Sequence, residues 1–364
     1  MAEKEVLLLK GNEAIAHAAI RCGCDGYFAY PITPQTEIVE TIAALKPWET
    51  TGMISVQAES EVSAVNMLYG GAGAGKKVFT SSSSIGIALM QEGISYMAGA
   101  ELPAVIVNVM RGGPGLGTIQ PSQGDYFQAT RGGGNGDYNN IVLCPHSVQE
   151  MADFMGLGFD LAFKYRNPVI ILTDGVIGQM MEKVVLSEQK PRRTMEEIER
   201  DCPWASTGRK NGRERNIITS LELQSEEMEK KNLALQAKYQ LIKENERRCE
   251  QLYMDDAEYV IVAFGSAARI SEKAIDIARK KGIKVGLFRP ITAWPYPDVE
   301  LEAACSGKIA VLVVEINAGQ MIDDVRLALG KNMPIVHYGR MGGIIPEPEG
   351  VVEALEILIN KCEE

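Results

Sequence analysis

Short apolar runs alternate with longer segments of helical period through the first half of the chain. Glu5–Leu9, Gly26–Tyr30, Met53–Ala58, Lys77–Thr80, Ala104–Met110, Ile141–Cys144 and Val169–Thr173 have strand length. Between most of them, Asn12–Arg21, Gln35–Leu45, Glu61–Ala74, Ile85–Ala98 and Val148–Phe163 have the length and apolar spacing of helices. Strands buried on both faces and joined by helical crossovers predict a doubly wound parallel sheet. A second α/β block is expected from about residue 257. Its strands are Tyr259–Phe264, Lys284–Phe288, Ala310–Glu315 and Ile335–His337, and its helices Ser271–Lys281 and Met321–Leu329.

Between the blocks the pattern changes. Pro191 to Arg215 is polar and basic and reads as an extended loop, and Glu222–Leu252 reads as one long charged helix. Leu221, Met228, Leu235, Ile242 and Cys249 recur every seven residues, a thin stripe expected to pack on its own chain or on a partner subunit. The expected domains are therefore 1–185, 186–256 and 257–364.

Composition narrows the classes. The net charge of -11 argues against nucleic acid and anionic membrane surfaces as partners. No apolar run reaches membrane-spanning length. Met1 to Glu5 lacks a basic segment followed by an apolar one, so no secretion signal is expected. With 7 dispersed cysteines, this predicts a cytoplasmic chain with reduced thiols. No cysteine run suits an iron–sulfur cluster. Only three histidines are present, His17, His146 and His337, which disfavours a histidine triad or a His-rich metal site.

The polar residues gather where the predicted parallel strands end, which is where open α/β sheets bind ligands. Tyr30-Pro31-Ile32-Thr33-Pro34 follows the second strand, Glu59-Ser60-Glu61 the third, Ser81 to Ser84 the fourth and Arg111 to Gly117 the fifth. Each has a plain structural reading beside the functional one. Thr33 and Pro34 suit an N-cap and first helical position. Glu59 and Glu61 favour a helix start. Arg111 could be a surface cation and the serines a solvated turn. Gly70 to Lys77 imitates a phosphate-binding loop, but Lys77 stands where the magnesium-binding hydroxyl belongs, and the glycines end a helical segment. Close helix packing and a C-cap are expected there instead. Gly112–Gly117 lacks the spacing of a dinucleotide loop.

These loops together resemble the alpha-type subunit of the 2-oxoacid:ferredoxin oxidoreductases. The resemblance is carried by Tyr30–Pro34, Ala58–Glu61, Thr80–Ser84, Ala98–Pro103, Asn108–Gly117, Arg289–Pro295 and Glu315–Gln320. Lys10–Ala14, Ile119–Gln123 and Asp125–Thr130 look closest to the branched-chain member, which acts on 3-methyl-2-oxobutanoate. Two positions depart from it: the family usually has serine at Gly124 and histidine at Asn135.

The resemblance implies an α/β fold. A doubly wound, pyrimidine-type thiamine-diphosphate domain would be followed by a transketolase C-terminal-like domain. It assigns the carboxylate that binds the aminopyrimidine to Glu61, with Glu59 as fallback. Tyr30, Pro31 and Ser83 line the cofactor, and Thr33 and Arg111 bind the oxoacid. The diphosphate and its Mg2+ belong to a beta-type subunit. This chain lacks that subunit's G-D-G…N motif, because Thr173-Asp174-Gly175 has neither the first glycine nor a fitting asparagine. Half a cofactor site implies a hetero-oligomer with the beta-type, gamma-type and iron–sulfur subunits, using coenzyme A and ferredoxin. Pyruvate or 2-oxoglutarate chemistry, or a thiamine enzyme without ferredoxin, are the alternatives.

Overall fold

The computed structural model describes residues 5–209 and 214–363. A seven-stranded sheet runs in the order Thr292–Trp294, Ile141–Leu143, Pro168–Asp174, Ala104–Met110, Val78–Ser82, Gly26–Ala29, Ile54–Gln57. All neighbours are parallel except Thr292–Trp294, which lies antiparallel to Ile141–Leu143. Val78–Ser82, Ala104–Met110 and Pro168–Asp174 are buried at every position, as central parallel strands covered on both faces must be. A second sheet has the order Ile335–Gly339, Ala310–Glu315, Tyr259–Ala263, Val285–Pro290, Cys249–Leu252, with only the last strand antiparallel.

Several elements differ from expectation. The first apolar run forms Val6–Lys10, which leaves the main sheet and pairs antiparallel with Met181–Val185. Both strands are largely exposed, so this ribbon is a surface feature. The polar 191–215 stretch holds a short helix, Met195–Asp201. It opens with a capping box between Thr194 and Glu197 and buries Ile198 with Cys202 and Ala205.

The long charged helix ends earlier than its charge pattern suggests. It spans Ser225–Asn245, and Cys249–Leu252 turns back as an edge strand. Leu221 and Cys249 therefore lie outside the helix. Of the remaining stripe, Leu235 and Ile242 are buried while Met228 is exposed. The C-terminal half packs on its own chain, where Tyr239 meets Trp294 edge-on with ring centroids 5.7 Å apart. The final helix, Pro348–Glu363, was not expected; it buries Val351, Val352, Leu355 and Leu358 against the second sheet.

The two sheets are docked through charged and polar residues. Arg289, almost fully buried, forms a two-pronged ion pair with Glu150 (2.8 and 3.0 Å) and a bond to Glu250 at 2.7 Å. Gln123 exchanges bonds with the other block: its Nε2 donates to Phe264 O (2.8 Å), and its Oε1 accepts from Ile316 N (3.0 Å). Its own backbone N–H donates to Ile316 O at 2.9 Å. The buried Glu315 carboxylate caps the N-terminus of the helix Met321–Leu329, accepting from Met321 N at 2.8 Å. All seven cysteines are free thiols. Among the described residues, no helix is long and apolar enough to cross a membrane, and no cluster of three or more His, Cys, Asp or Glu suits a metal ion.

Candidate functional site

The carboxyl ends of the central strands bring four loops to one edge of the seven-stranded sheet. The first follows Gly26–Ala29. The helix expected from Pro34 begins instead at Thr36, and the Thr33–Pro34 peptide is cis. Thr33 is therefore not the N-cap: its side chain is exposed, and its carbonyl accepts from Arg111 Nη1 at 3.0 Å. Tyr30 is exposed and Pro31 half-buried. The loop is held by Gln35, which composition alone did not mark. Its Nε2 donates to Tyr30 O (3.1 Å), and its Oε1 accepts from Ser81 Oγ (2.7 Å). Ser81 Oγ in turn meets the Tyr27 hydroxyl at 2.6 Å.

The second loop opens the helix Glu61–Gly73. Ser60 is its N-cap, accepting from Ser63 N at 3.2 Å, so Glu61 occupies the first helical turn. The two candidate carboxylates separate clearly. Glu59 is exposed and accepts from Ser63 Oγ, whereas Glu61 is buried at 6% exposure. Among the described residues no hydrogen-bond or ion-pair partner faces the Glu61 carboxylate. Around it the packing is tight. A Cβ added to Gly86, on the neighbouring helix Ile85–Gly99, would stand 2.7 Å from Glu61 Oε1 and 2.1 Å from Ser82 Oγ. The hydroxyls of Ser82 and Ser83 are buried without partners. The serine run is thus a buried polar floor and not a solvated turn.

The third and fourth loops meet at Ser84 and Arg111. Ser84 has φ 25° and ψ -79°, in the left-handed half of backbone space. Its N–H donates to Asn108 Oδ1 (3.0 Å), and its Oγ donates to Asp125 Oδ2 (2.6 Å) and accepts from Arg111 N (3.0 Å). Burial pushes the Asp125 carboxyl above its ordinary pKa, against the hydrogen bonds from Ser84 and Asn108. Arg111 is buried at 7% exposure and is no surface cation. Nη2 donates to Leu116 O at 3.0 Å, while Nε is buried with no partner. A guanidinium has five N–H donors, so Arg111 keeps donors for a further acceptor. Arg131 lies elsewhere: it pairs with Asp324 (2.9 Å), which also accepts from the Tyr126 hydroxyl (2.6 Å).

The structure thus gathers Thr33, Ser83, Arg111 and Glu61 on loops at one sheet edge. Sequence reasoning missed Gln35, Asn108 and Asp125. A signal was present in each, as a polar residue beside a loop already singled out.

The edge suits an aminopyrimidine. A largely buried glutamate with no partner among the described residues and two buried, unpartnered hydroxyls are features a polar heterocycle would satisfy. Comparison with known proteins agrees. The family model described as "Pyruvate flavodoxin/ferredoxin oxidoreductase, thiamine diP-bdg" matches residues 17–251, and "Pyruvate:ferredoxin oxidoreductase core domain II" matches 257–351. The chain is 48% identical to the ketoisovalerate oxidoreductase subunit VorB of Methanothermobacter thermautotrophicus, covering 96% of each chain. To the 2-oxoglutarate synthase subunit KorA of the same organism it is 33% identical, covering 96% of this chain and 98% of that one. Its structure is similar to a 2-oxoglutarate:ferredoxin oxidoreductase from Magnetococcus marinus with 2-oxoglutarate, coenzyme A and succinyl-CoA bound. That match has TM-score 0.85 and 27% identity, and covers 98% of this chain and 66% of that one. A split-gene transketolase, at TM-score 0.59 and 13% identity over 97% of this chain and 98% of that one, shares the fold.

Proposed function

This chain belongs to the pyruvate flavodoxin/ferredoxin oxidoreductase family, and on that premise we propose that it is the alpha-type subunit of a branched-chain 2-oxoacid:ferredoxin oxidoreductase. The observation that carries the reading is Glu61, largely buried and without a hydrogen-bond or ion-pair partner among the described residues, packed with Ser82 against Gly86. Thiamine diphosphate, when bound, supplies the carbon nucleophile for the 2-oxo group and the sink for the electrons released with CO2.

This chain's residues hold and orient. Glu61 binds the aminopyrimidine at N1′, and its low-dielectric surroundings strengthen that charge-assisted bond. Tyr30, Pro31 and Ser83 line the same edge. Arg111 pairs through its remaining donors with the oxoacid carboxylate, and the Thr33 hydroxyl adds a second contact.

The diphosphate and Mg2+ are assigned to a beta-type partner, and electrons pass through iron–sulfur subunits to ferredoxin, with the acyl group leaving on coenzyme A. The surface supports a partner at this edge. The helices Glu61–Gly73 and Ile85–Gly99 carry only Glu61 and Glu92 as charges, yet expose Val62, Met67, Leu89 and Tyr96. A helix pair with so few charges and several exposed apolar residues fits burial in an assembly.

Two observations favour a branched-chain acid over 2-oxoglutarate. A second substrate carboxylate calls for another cation, and Arg131 is committed to Asp324. Identity to the ketoisovalerate subunit also exceeds identity to the 2-oxoglutarate subunit. The test is kcat/KM of the assembled complex for 2-oxoisovalerate, its leucine and isoleucine counterparts, pyruvate and 2-oxoglutarate. Apolar pockets separate chains differing by one methylene by only about 10–200-fold, so relaxed use of the branched acids is expected. A clear preference for 2-oxoglutarate overturns the branched-chain assignment.

A further inference from the structure

The geometry points to Asp125 as a positioning residue that sets the Arg111 clamp through Ser84. The inference rests on the reading above, in which Arg111 takes the oxoacid carboxylate.

Ser84 is the pivot. It ends one sheet loop, and its hydroxyl receives the backbone N–H of Arg111, on the neighbouring strand's loop, at 3.0 Å. An L residue at φ 25° holds that conformation only when its surroundings over-determine it. Three bonds do so here. The Ser84 N–H is fixed by Asn108 Oδ1 at 3.0 Å. Its hydroxyl proton goes to Asp125 Oδ2 at 2.6 Å, and the lone pair thereby left facing Arg111 accepts the Arg111 N–H. Asp125 Oδ2 also accepts Asn108 Nδ2 at 2.9 Å, so one carboxylate oxygen anchors both groups that hold Ser84.

Without that oxygen the Ser84 proton has another acceptor within reach, the Arg111 carbonyl at 3.2 Å. Turning to it would rotate the hydroxyl and release the Arg111 N–H. The guanidinium sits at the far end of this chain of contacts, bonded to Thr33 O and Leu116 O from two separate loops. A small shift of the Arg111 backbone therefore moves its donors relative to both. Asp125 touches none of the reacting groups in this account; it acts only through Arg111.

The test is a double-mutant cycle in the assembled complex, reading KM for 2-oxoisovalerate, KM for coenzyme A and kcat. Asp125→Ala should raise the oxoacid KM roughly tenfold, with KM for coenzyme A unchanged. In an Arg111→Ala background the same change should add less than about twofold, because the clamp it sets is already gone. Asp125→Leu, which keeps most of the volume but has no acceptor, is run through the same cycle if the alanine variant does not assemble, with the same expected and contradicting outcomes. Full multiplication of the two effects overturns the inference, as does a fall in kcat with the oxoacid KM unmoved. Should Arg111→Ala alone leave the oxoacid KM unchanged, the substrate role of Arg111 fails first, and this inference falls with it.

Discussion

Gly86 stands directly against Glu61: the position a β-carbon would take on Gly86 lies 2.7 Å from the Glu61 carboxylate oxygen. The same position is 2.1 Å from Ser82 Oγ, so two of the site's polar groups depend on this one missing side chain. Gly86→Ala should therefore push Glu61 aside and depress turnover as strongly as altering Glu61 itself. Overpacking of this kind costs about 1–3 kcal/mol, which leaves a folded subunit. Steady-state assays of the complex, with its assembly checked by gel filtration, test this. Native turnover in the alanine variant would show that the close packing of Gly86 on Glu61 is not needed.

Gln123 joins the two blocks through its side chain and its backbone, and Gln123→Ala removes only the side-chain pair. Ile316 N is then left in the interior without that partner, while Phe264 O keeps the Ala268 N–H at 3.2 Å. Leaving a buried backbone group unpaired costs about 1–3 kcal/mol, so a loss of about 1–3 kcal/mol is expected in urea unfolding. A change below about 0.5 kcal/mol would mean that water replaces both bonds.

His146 makes stability depend on pH. Burial alone would lower its pKa, but the carboxylates of Glu150 and Glu272 outweigh burial and raise it to about 9 from 6.5, despite the nearby Arg289. Arg269 also approaches, through the His146 carbonyl at 3.5 Å. Because the folded pKa is raised, the stabilising charge is fully present below about pH 6.5 and is lost as pH rises through about 9. Glu150 responds at the other end. Burial opposes its charge, yet His146 and Arg289 hold its pKa down to about 2, so its contribution is present above about 4.5 and lost as pH falls through about 2. Urea midpoints should therefore fall between pH 6.5 and 9, and His146→Gln should flatten that slope. An unchanged slope in the variant would assign the pH dependence elsewhere.

The parallel core was legible because its strands are uninterrupted apolar runs, each followed by a segment of helical period. The edge strand Thr292–Trp294 was not. Its three residues, within the four that separate Pro290 from Pro295, carry no pattern, and only the surface offered by Ile141–Leu143 makes them a strand. The ribbon strand Val6–Lys10 shows the reverse case, a clear apolar run placed at the surface by its pairing with Met181–Val185. At the site, residue types at strand ends made Glu61 and Arg111 candidates. The choice of Glu61 over Glu59 came from a family resemblance; in the structure the two differ in burial, Glu61 buried and Glu59 exposed. Asp125 was harder to see, because its role depends on Ser84 and Asn108, which are 41 and 17 residues away in sequence.

The central claim is that Glu61 supplies this chain's half of a thiamine site shared with a partner. Glu61→Gln keeps the shape and removes the charge, so the most direct measurement is oxoacid-dependent dye reduction by the assembled complex carrying that change. Turnover should fall about 10²–10⁴-fold with the subunits still associated, while Glu59→Gln, altering an exposed carboxylate, stays near native. Turnover within a few-fold of native for Glu61→Gln would contradict the claim.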